Sequence, residues 1–234
     1  MTPAKSTTRD TLRSSFLFRT LSDNDLDTIA GLMSPRTVAR NQTVFEKGDA
    51  GDAMYAVLAG RVRIVAFSED GKEVMLNLIE TGEVFGEIAA LDGGPRTAHA
   101  IADSATELLS LTRARLADLL REAPDLGLRL MTVLCGRLRE TSATVETLAF
   151  HGLEQRLAHL LLRIADKYGQ DTEEGLVLDI KLTQKDVGTL IATSRESVSK
   201  QLTRWQEQDI LTMKAGRITI KDIDFIETLA GDVD

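Results

Sequence analysis

The chain has 234 residues, a hydrophobic fraction of 43%, and 36 acidic against 28 basic residues, a net charge of −8. That length suits two domains, and the apolar share sustains a real core and excludes global disorder. No apolar run approaches the ~18 residues needed to cross a membrane, and the single cysteine excludes an intrachain disulfide or a cysteine-held iron–sulfur cluster.

Residues 1–13 are polar and lack the apolar core of a secretory signal, so they read as a flexible lead. Leu21-Ser22-Asp23-Asn24-Asp25-Leu26 offers an N-cap before an apolar-periodic stretch through Leu32, a short helix. From about Val38 to Thr112 the grammar becomes that of short strands with turn signals between them. Strands are expected at Val44-Phe45 and at 54–58, 62–67, 74–79, 98–102 and 107–111, with a hairpin turn at Glu69-Asp70-Gly71. Many short strands at this spacing suggest a small barrel or jelly roll.

Residues 114–121 read as a short helix. Pro124-Asp125 then opens a long one, to about Phe150. Within it Met131, Leu134, Leu138, Thr141, Val145 and Leu148 step by 3, 4, 3, 4 and 3, a coiled-coil seam suited to one partner helix. Cys135 sits inside this pattern and is expected to be a small buried apolar residue. His151-Gly152 breaks the pattern as a hinge. Residues 153–168 form an amphipathic helix, 169–175 an acidic loop and 176–180 a strand. Strands at 210–213 and 217–220 flank Lys214-Ala215-Gly216 as a wing-like hairpin, 222–229 is a terminal helix, and the last residues fray.

Two segments carry chemistry. Gly86-Glu87-Ile88-Ala89 is followed, after Gly93-Gly94, by Pro95-Arg96-Thr97-Ala98. Arginine offers a planar fork of donors to phosphate oxygens, glycine lets main-chain N–H groups approach them, and glutamate accepts from ribose hydroxyls. The set suits a small anionic sugar phosphate. Further on, residues 182–191 read as a capped helix, Ala192-Thr193 as a turn, and residues 194–202 as a second helix with Ser194 as N-cap. The second helix presents Arg195, Glu196 and Lys200 on one face. Arg195 can bond guanine, Glu196 can accept from cytosine, and Ser194, Ser197, Thr183 and Lys214 are candidates for phosphate contacts. From Lys181 to Lys221 eight bases face four acids, a net of +4 within an otherwise acidic chain. A local basic face of this kind can bind nucleic acid.

Together the two segments resemble the catabolite activator (cyclic-AMP receptor protein) family of bacterial transcription regulators, over nearly the whole chain after about residue 15. The resemblance implies an α+β chain: a flexible start (1–15), a cyclic-nucleotide-binding jelly roll (16–123), a dimerisation helix (124–150) and a winged helix-turn-helix (151–234). It places Glu87 on the ribose 2′-hydroxyl and Arg96 and Thr97 on the cyclic phosphate, with Gly86, Ile88 and Ala89 in the same cassette. Leu76 and Asn77 line the base pocket. Thr141 meets the adenine, and Ser142 meets the nucleotide held by the other subunit. These matches favour cyclic AMP, while Thr97, a residue recurring in cyclic-GMP-binding domains, makes cyclic GMP a second ligand. The resemblance further implies TGTGA half-sites about 34 Å apart on palindromic DNA, a homodimer, contact with RNA polymerase near residues 167–174, and action in the cytoplasm. Lys200 replaces the usual arginine, so base choice at that step relaxes. Ala192 replaces the usual turn glycine.

The alternatives are a ligand-independent repressor using the jelly roll as a dimer scaffold, and a nucleotide-sensing adaptor that contacts proteins. Glu87 with Arg96 speaks against the first, and Arg195 with Glu196 against the second. An enzyme is not expected: His99, His151 and His159 are scattered in sequence, without metal spacing or a nucleophile–base pair.

Overall fold

The structure, a computed structural model, describes residues 5–19, 21–71, 73–214 and 216–231. The start of the expected flexible lead, Ala215 of the expected wing turn and the last residues, expected to fray, lie outside that set. The chain divides into two compact units, Met1–Asp70 with Leu76–Arg139, and Gly71–Met75 with Glu140–Asp234.

In the first unit, α1 (Lys5–Ser14) corrects the expected flexible lead. Thr8, Leu12 and Ser15 fall at helical spacing and are buried, and Leu12, Leu17 and Phe18 join Leu26 and Ile29 of α2 (Asp23–Leu32) in one apolar cluster. Ser22 caps α2 reciprocally with Asp25.

Eight strands follow: β1 (Ser34–Val38), β2 (Thr43–Phe45), β3 (Ala53–Ala59), β4 (Val62–Phe67), β5 (Glu73–Ile79), β6 (Val84–Phe85), β7 (His99–Ala102) and β8 (Thr106–Thr112). They form two four-stranded sheets, in the orders β1-β8-β3-β6 and β2-β7-β4-β5. β3 is buried from Ala53 to Leu58 on both faces because it is sandwiched. Tyr55 and Val57 join Val62, Ala100 and Leu108 in the apolar cluster that the two sheets share. Met54, Ala56 and Leu58 point the other way, into the helical cluster with Leu116 of α4 (Arg113–Glu122). The short α3 (Glu87–Asp92) interrupts the strands between β6 and β7.

The helix α5 (Pro124–Phe150) starts with proline at its first position, where no N–H is needed. Leu126 and Leu130 are buried, but beyond them the apolar side chains turn outward. Leu128, Met131, Leu138 and Val145 are 62%, 53%, 67% and 61% exposed. Cys135 is also exposed, which corrects its expected burial. Leu134 and Leu148 are half-buried instead. The outward stripe therefore runs Leu128, Met131, Cys135, Leu138, Ser142, Val145, Ala149. It keeps Met131, Leu138 and Val145 of the expected seam and shifts the alternate positions by one residue.

The second unit begins with the last turns of α5 and continues with α6 (Leu153–Tyr168), β9 (Gly169–Thr172), β10 (Gly175–Leu178), α7 (Gln184–Leu190), α8 (Arg195–Glu207), β11 (Leu211–Lys214), β12 (Arg217–Ile220) and α9 (Ile223–Ala230). The segment expected as an acidic loop is half of a hairpin: Gly169–Thr172 pairs with β10 at the edge of the sheet β11-β12-β10-β9. All four of its residues are exposed, so the backbone ladder holds it, helped by Thr172 Oγ1, which donates to the Gly175 carbonyl at 2.7 Å. Leu157 and Leu161 of α6, Val187 of α7, Val198, Leu202 and Trp205 of α8, and Ile226 of α9 build one core.

The α7–α8 corner is tight. A side chain at Gly188 would lie 2.9 Å from the Thr193 carbonyl oxygen, so only glycine allows that approach. Ala192 sits at φ +51, the left-handed conformation for which glycine is the usual residue. Ala192→Gly removes about 1–2 kcal/mol of left-handed strain and adds back about 0.4–1 kcal/mol of unfolded-state entropy. Urea denaturation followed by Trp205 fluorescence is expected to show a net gain of about 0.5–1 kcal/mol; a loss would mean that the turn carries no strain.

Candidate functional site

The ligand cassette begins where β6 ends. Gly86, at φ +74, turns the chain into α3 and caps it without any side-chain hydrogen bond. A Cβ there would lie 2.8 Å from Arg96 Nη1 and 3.2 Å from the Phe45 ring. That space is left to Arg96, whose side chain is folded inward and only 4% exposed. Arg96 Nη1 donates to the Gly86 carbonyl at 2.8 Å and Nη2 to the Ala53 carbonyl at 2.7 Å. Its guanidinium carbon stands 4.2 Å over the centre of the Phe45 ring and 5.7 Å from that of Tyr55. Phe85 completes this aromatic wall, stacked 5.2 Å from Tyr55. Arg96 Nε is buried and has no hydrogen-bond partner.

Glu87, the first residue of α3, is 2% exposed. Its carboxylate oxygen Oε1 lies 2.6 Å from Arg137 Nη1 of α5, and the other arm of Arg137 donates to the Val84 carbonyl. Two guanidiniums, from distant parts of the sequence, thus address adjacent residues of one turn. A carboxylate buried to this degree needs such a partner.

Of the remaining expected ligand residues, Ala89 is buried, Ile88 and Leu76 are exposed, and so is Thr97. Asn77 Oδ1 accepts from the Leu78 N–H at 2.8 Å. Gly86, Glu87, Ile88, Ala89 and Arg96 are brought together. Thr141 and Ser142 lie on α5 in the second unit, both exposed. Sequence reasoning missed Arg137 and the aromatic wall. The available signal for Arg137 was its position one helical turn before Thr141, on the same face.

On the DNA side, Thr183 caps α7 reciprocally with Asp186, and Ser194 caps α8 by accepting from the Ser197 N–H at 3.1 Å. The Ser194 and Ser197 hydroxyls lie 3.0 Å apart. Arg195, Glu196 and Lys200 project from the start of α8, exposed, and form no ion pair among the described residues. Lys214 stands at the end of β11, 3.2 Å from Glu174. α6 is tied to this motif by Arg156, which donates to the Ile191 carbonyl at 2.9 Å, and by Glu154, paired with Arg204 at 2.8 Å. His151 and His159, eight positions apart in sequence, stack with centroids 4.8 Å apart. Among the described residues no group of three or more His, Cys, Asp or Glu could hold a metal, and no helix is long and apolar enough to cross a membrane.

Comparison with known proteins covers both sites. The cyclic nucleotide-binding domain family matches residues 35–123, which contain the cassette, and the Crp-like helix-turn-helix domain family matches residues 155–229. The cyclic AMP receptor protein of Thermus thermophilus is 31% identical over 219 residues, covering 94% of this chain and 98% of the relative. The CRP-like cAMP-activated global transcriptional regulator of Mycobacterium tuberculosis is 29% identical over 208 residues, covering 88% of this chain and 92% of the relative. The fold is shared with the CooA mutant from Carboxydothermus hydrogenoformans, at TM-score 0.78 and 20% identity over 87% of this chain and 90% of that one. The chain belongs to the Crp family of transcription regulators, which are not enzymes, and carries both a cyclic nucleotide-binding domain and a Crp-like DNA-binding helix-turn-helix.

Proposed function

We propose that this chain acts as a cytoplasmic homodimer that reads palindromic DNA when cyclic AMP occupies the cassette. Its functional division is an N-terminal segment to about residue 15, a ligand domain over 16–123, a pairing helix over 124–150 and a DNA-reading domain over 151–234. The observation that carries this is Arg96: a buried guanidinium with an orphaned Nε, held by two carbonyls and no anion among the described residues. A phosphodiester supplies the missing negative charge and a further acceptor. The first-turn N–H groups of α3, which no side chain caps, add donors beside it.

In this assignment Arg96 and Thr97 hold the phosphate, Gly86 to Ala89 shape its cradle, and Glu87 accepts from the ribose while Arg137 fixes its carboxylate. Leu76 and Asn77 face the base. Thr141 and Ser142 extend the base contact along α5, Ser142 from the partner, which its place on the exposed stripe supports. The names of the Thermus and Mycobacterium relatives favour cyclic AMP as the activating ligand. Thr97, exposed and hydroxyl-bearing, admits cyclic GMP as a second one. The apolar stripe on α5 suits a second copy of the chain.

Arg195, Glu196 and Lys200 read base edges. Thr183, Ser194, Ser197 and Lys214 hold phosphates; Lys214 exchanges its exposed pairing with Glu174 for them at little cost. RNA polymerase is a further partner. Ligand shifts the balance only as far as it binds the DNA-competent arrangement more tightly.

Calorimetry with cyclic AMP and cyclic GMP tests the ligand: Arg96→Ala is expected to weaken cyclic AMP by about 100-fold, about 2–3 kcal/mol, and unchanged affinity rejects the assignment. A mobility shift on a palindromic probe, with and without each nucleotide, tests the switch; equal tight binding in every lane would favour the scaffold alternative. Arg195→Ala is expected to cost about 1–3 kcal/mol and to loosen sequence choice. Leu138→Arg places a charge on the stripe, and sedimentation is expected to find it monomeric with lost operator binding; a dimeric Leu138→Arg would place the interface elsewhere.

A further inference from the structure

Within the second unit, the last turns of α5, one face of α6 and the end of α7 enclose a cleft of about 250 Å³. At about 30 Å³ per water, it has room for about eight waters. Its lining is divided. Leu148, Leu160 and Ile191 make an apolar side, and Arg156 and Arg163 bring two guanidiniums against one carboxylate, Asp166. With histidine neutral, the lining therefore carries a net positive charge.

The Arg156 guanidinium is not fully satisfied. Arg156 donates one arm to the Ile191 carbonyl at 2.9 Å, while its Nε is buried without a partner. Among the described residues, the hydrogen bond of Arg163 is a long one, to Thr144 Oγ1 at 3.4 Å. Burial holds the Arg163 guanidinium below its ordinary value, and Glu140, outside the lining, reverses only part of that effect. Cations in a half-apolar cleft call for an anion that also covers the apolar side. Thr144, Thr147 and Leu148 line the cleft, whereas the exposed stripe of α5 runs through Ser142, Val145 and Ala149. The cleft and the stripe thus use different faces of α5.

We propose that the cleft binds a small monocarboxylate with a short apolar tail, the carboxylate on Arg156 and Arg163 and the tail against Leu148, Leu160 and Ile191. One negative charge neutralises the lining. A divalent inorganic anion overshoots it and leaves the apolar side uncovered. The occupant touches both helices flanking the His151-Gly152 hinge and the residue that ends α7, so it stabilises their packed arrangement. This site is independent of the nucleotide cassette.

The test is calorimetry of the full chain with sodium isovalerate, isovaleramide and inorganic phosphate, each with and without saturating cyclic AMP. Isovalerate is expected to bind once per chain, at least tenfold tighter than the amide or phosphate, and to do so in both conditions. Arg163→Gln is expected to weaken it tenfold or more. Ala143→Phe, at an exposed lining position where folding is undisturbed, fills the cleft and is expected to abolish binding with an unchanged melting midpoint. Four results overturn the proposal: no saturable isovalerate binding, equal binding of the amide or of phosphate, binding abolished by cyclic AMP, or binding unchanged in both variants.

Discussion

Arg96 is a charge taken out of water with no opposite charge to meet it among the described residues. Removing an ion from solvent costs several kcal/mol even after the protein relaxes. Two carbonyl dipoles and the Phe45 face offset part of that cost and also aim the side chain. The rest of the cassette depends on this geometry. Gly86 must adopt its left-handed turn for its carbonyl to meet Arg96, and any larger residue there would occupy the guanidinium's space. The same turn starts α3 and so carries Glu87 inward, where Arg137 neutralises it. The adjacent carboxylate therefore takes its counter-charge from α5 and leaves Arg96 uncompensated. An anionic ligand resolves that imbalance, which ties nucleotide affinity to a cost already built into the fold.

The other exposed cost is on α5. Leu128, Met131, Leu138 and Val145 are each more than half exposed. Complete burial of such side chains is worth about 1.5–3 kcal/mol each, so at this exposure each still gains roughly 1–2 kcal/mol against a partner. Cys135 and Ser142 stand between them and Ala149 follows Val145, all small. Large and small residues alternate along the stripe, a pattern that lets two helices approach closely and fixes their register. A seam carried by the helix that also supplies Arg137 would place pairing and ligand chemistry on one element, with Leu138 of the stripe next to Arg137 in sequence.

Legibility in the sequence followed the strength of the local signal. β4, α5, α6 and β12 carry clear periodicity or sharp punctuation, and their limits were read directly. β1 was missed because Pro35 and Arg36 break any alternation, and its pairing with β8 comes from the backbone. β6 and α3 are too short to show a period, and β9 is polar throughout. α1 was misread because its buried face uses Thr8 and Ser15 beside a single leucine, a helix that tertiary packing stabilises rather than composition. On α5 the two candidate seams share Met131, Leu138 and Val145, so sequence favoured Leu134 over Cys135 on hydrophobicity alone. Only the packing of the first unit decides which neighbour faces out. Arg96 and Glu87 were legible because their residue types are chemically specific. Arg137 was not, since an arginine on a helix reads as a solvated face until its partner is found 50 positions away in sequence.

The DNA-reading helix sets a reason for pairing that does not rest on the stripe. Arg195, Glu196 and Lys200 are its proposed base-reading face, and a good bidentate contact discriminates by about 1–3 kcal/mol. Lysine lacks the fork, so its share falls at the low end. One copy therefore reaches the lower part of the roughly 4–10 kcal/mol by which specific binding exceeds non-specific binding. Over residues 181–221 the net charge is +4 while the whole chain is acidic, so non-specific attraction to DNA is local and modest. Two copies on a palindrome nearly double the discrimination without enlarging that attraction much. A weakly basic reader on an acidic chain gains selectivity by pairing, and the helix that would pair the copies is the one that Arg137 ties to the ligand cassette.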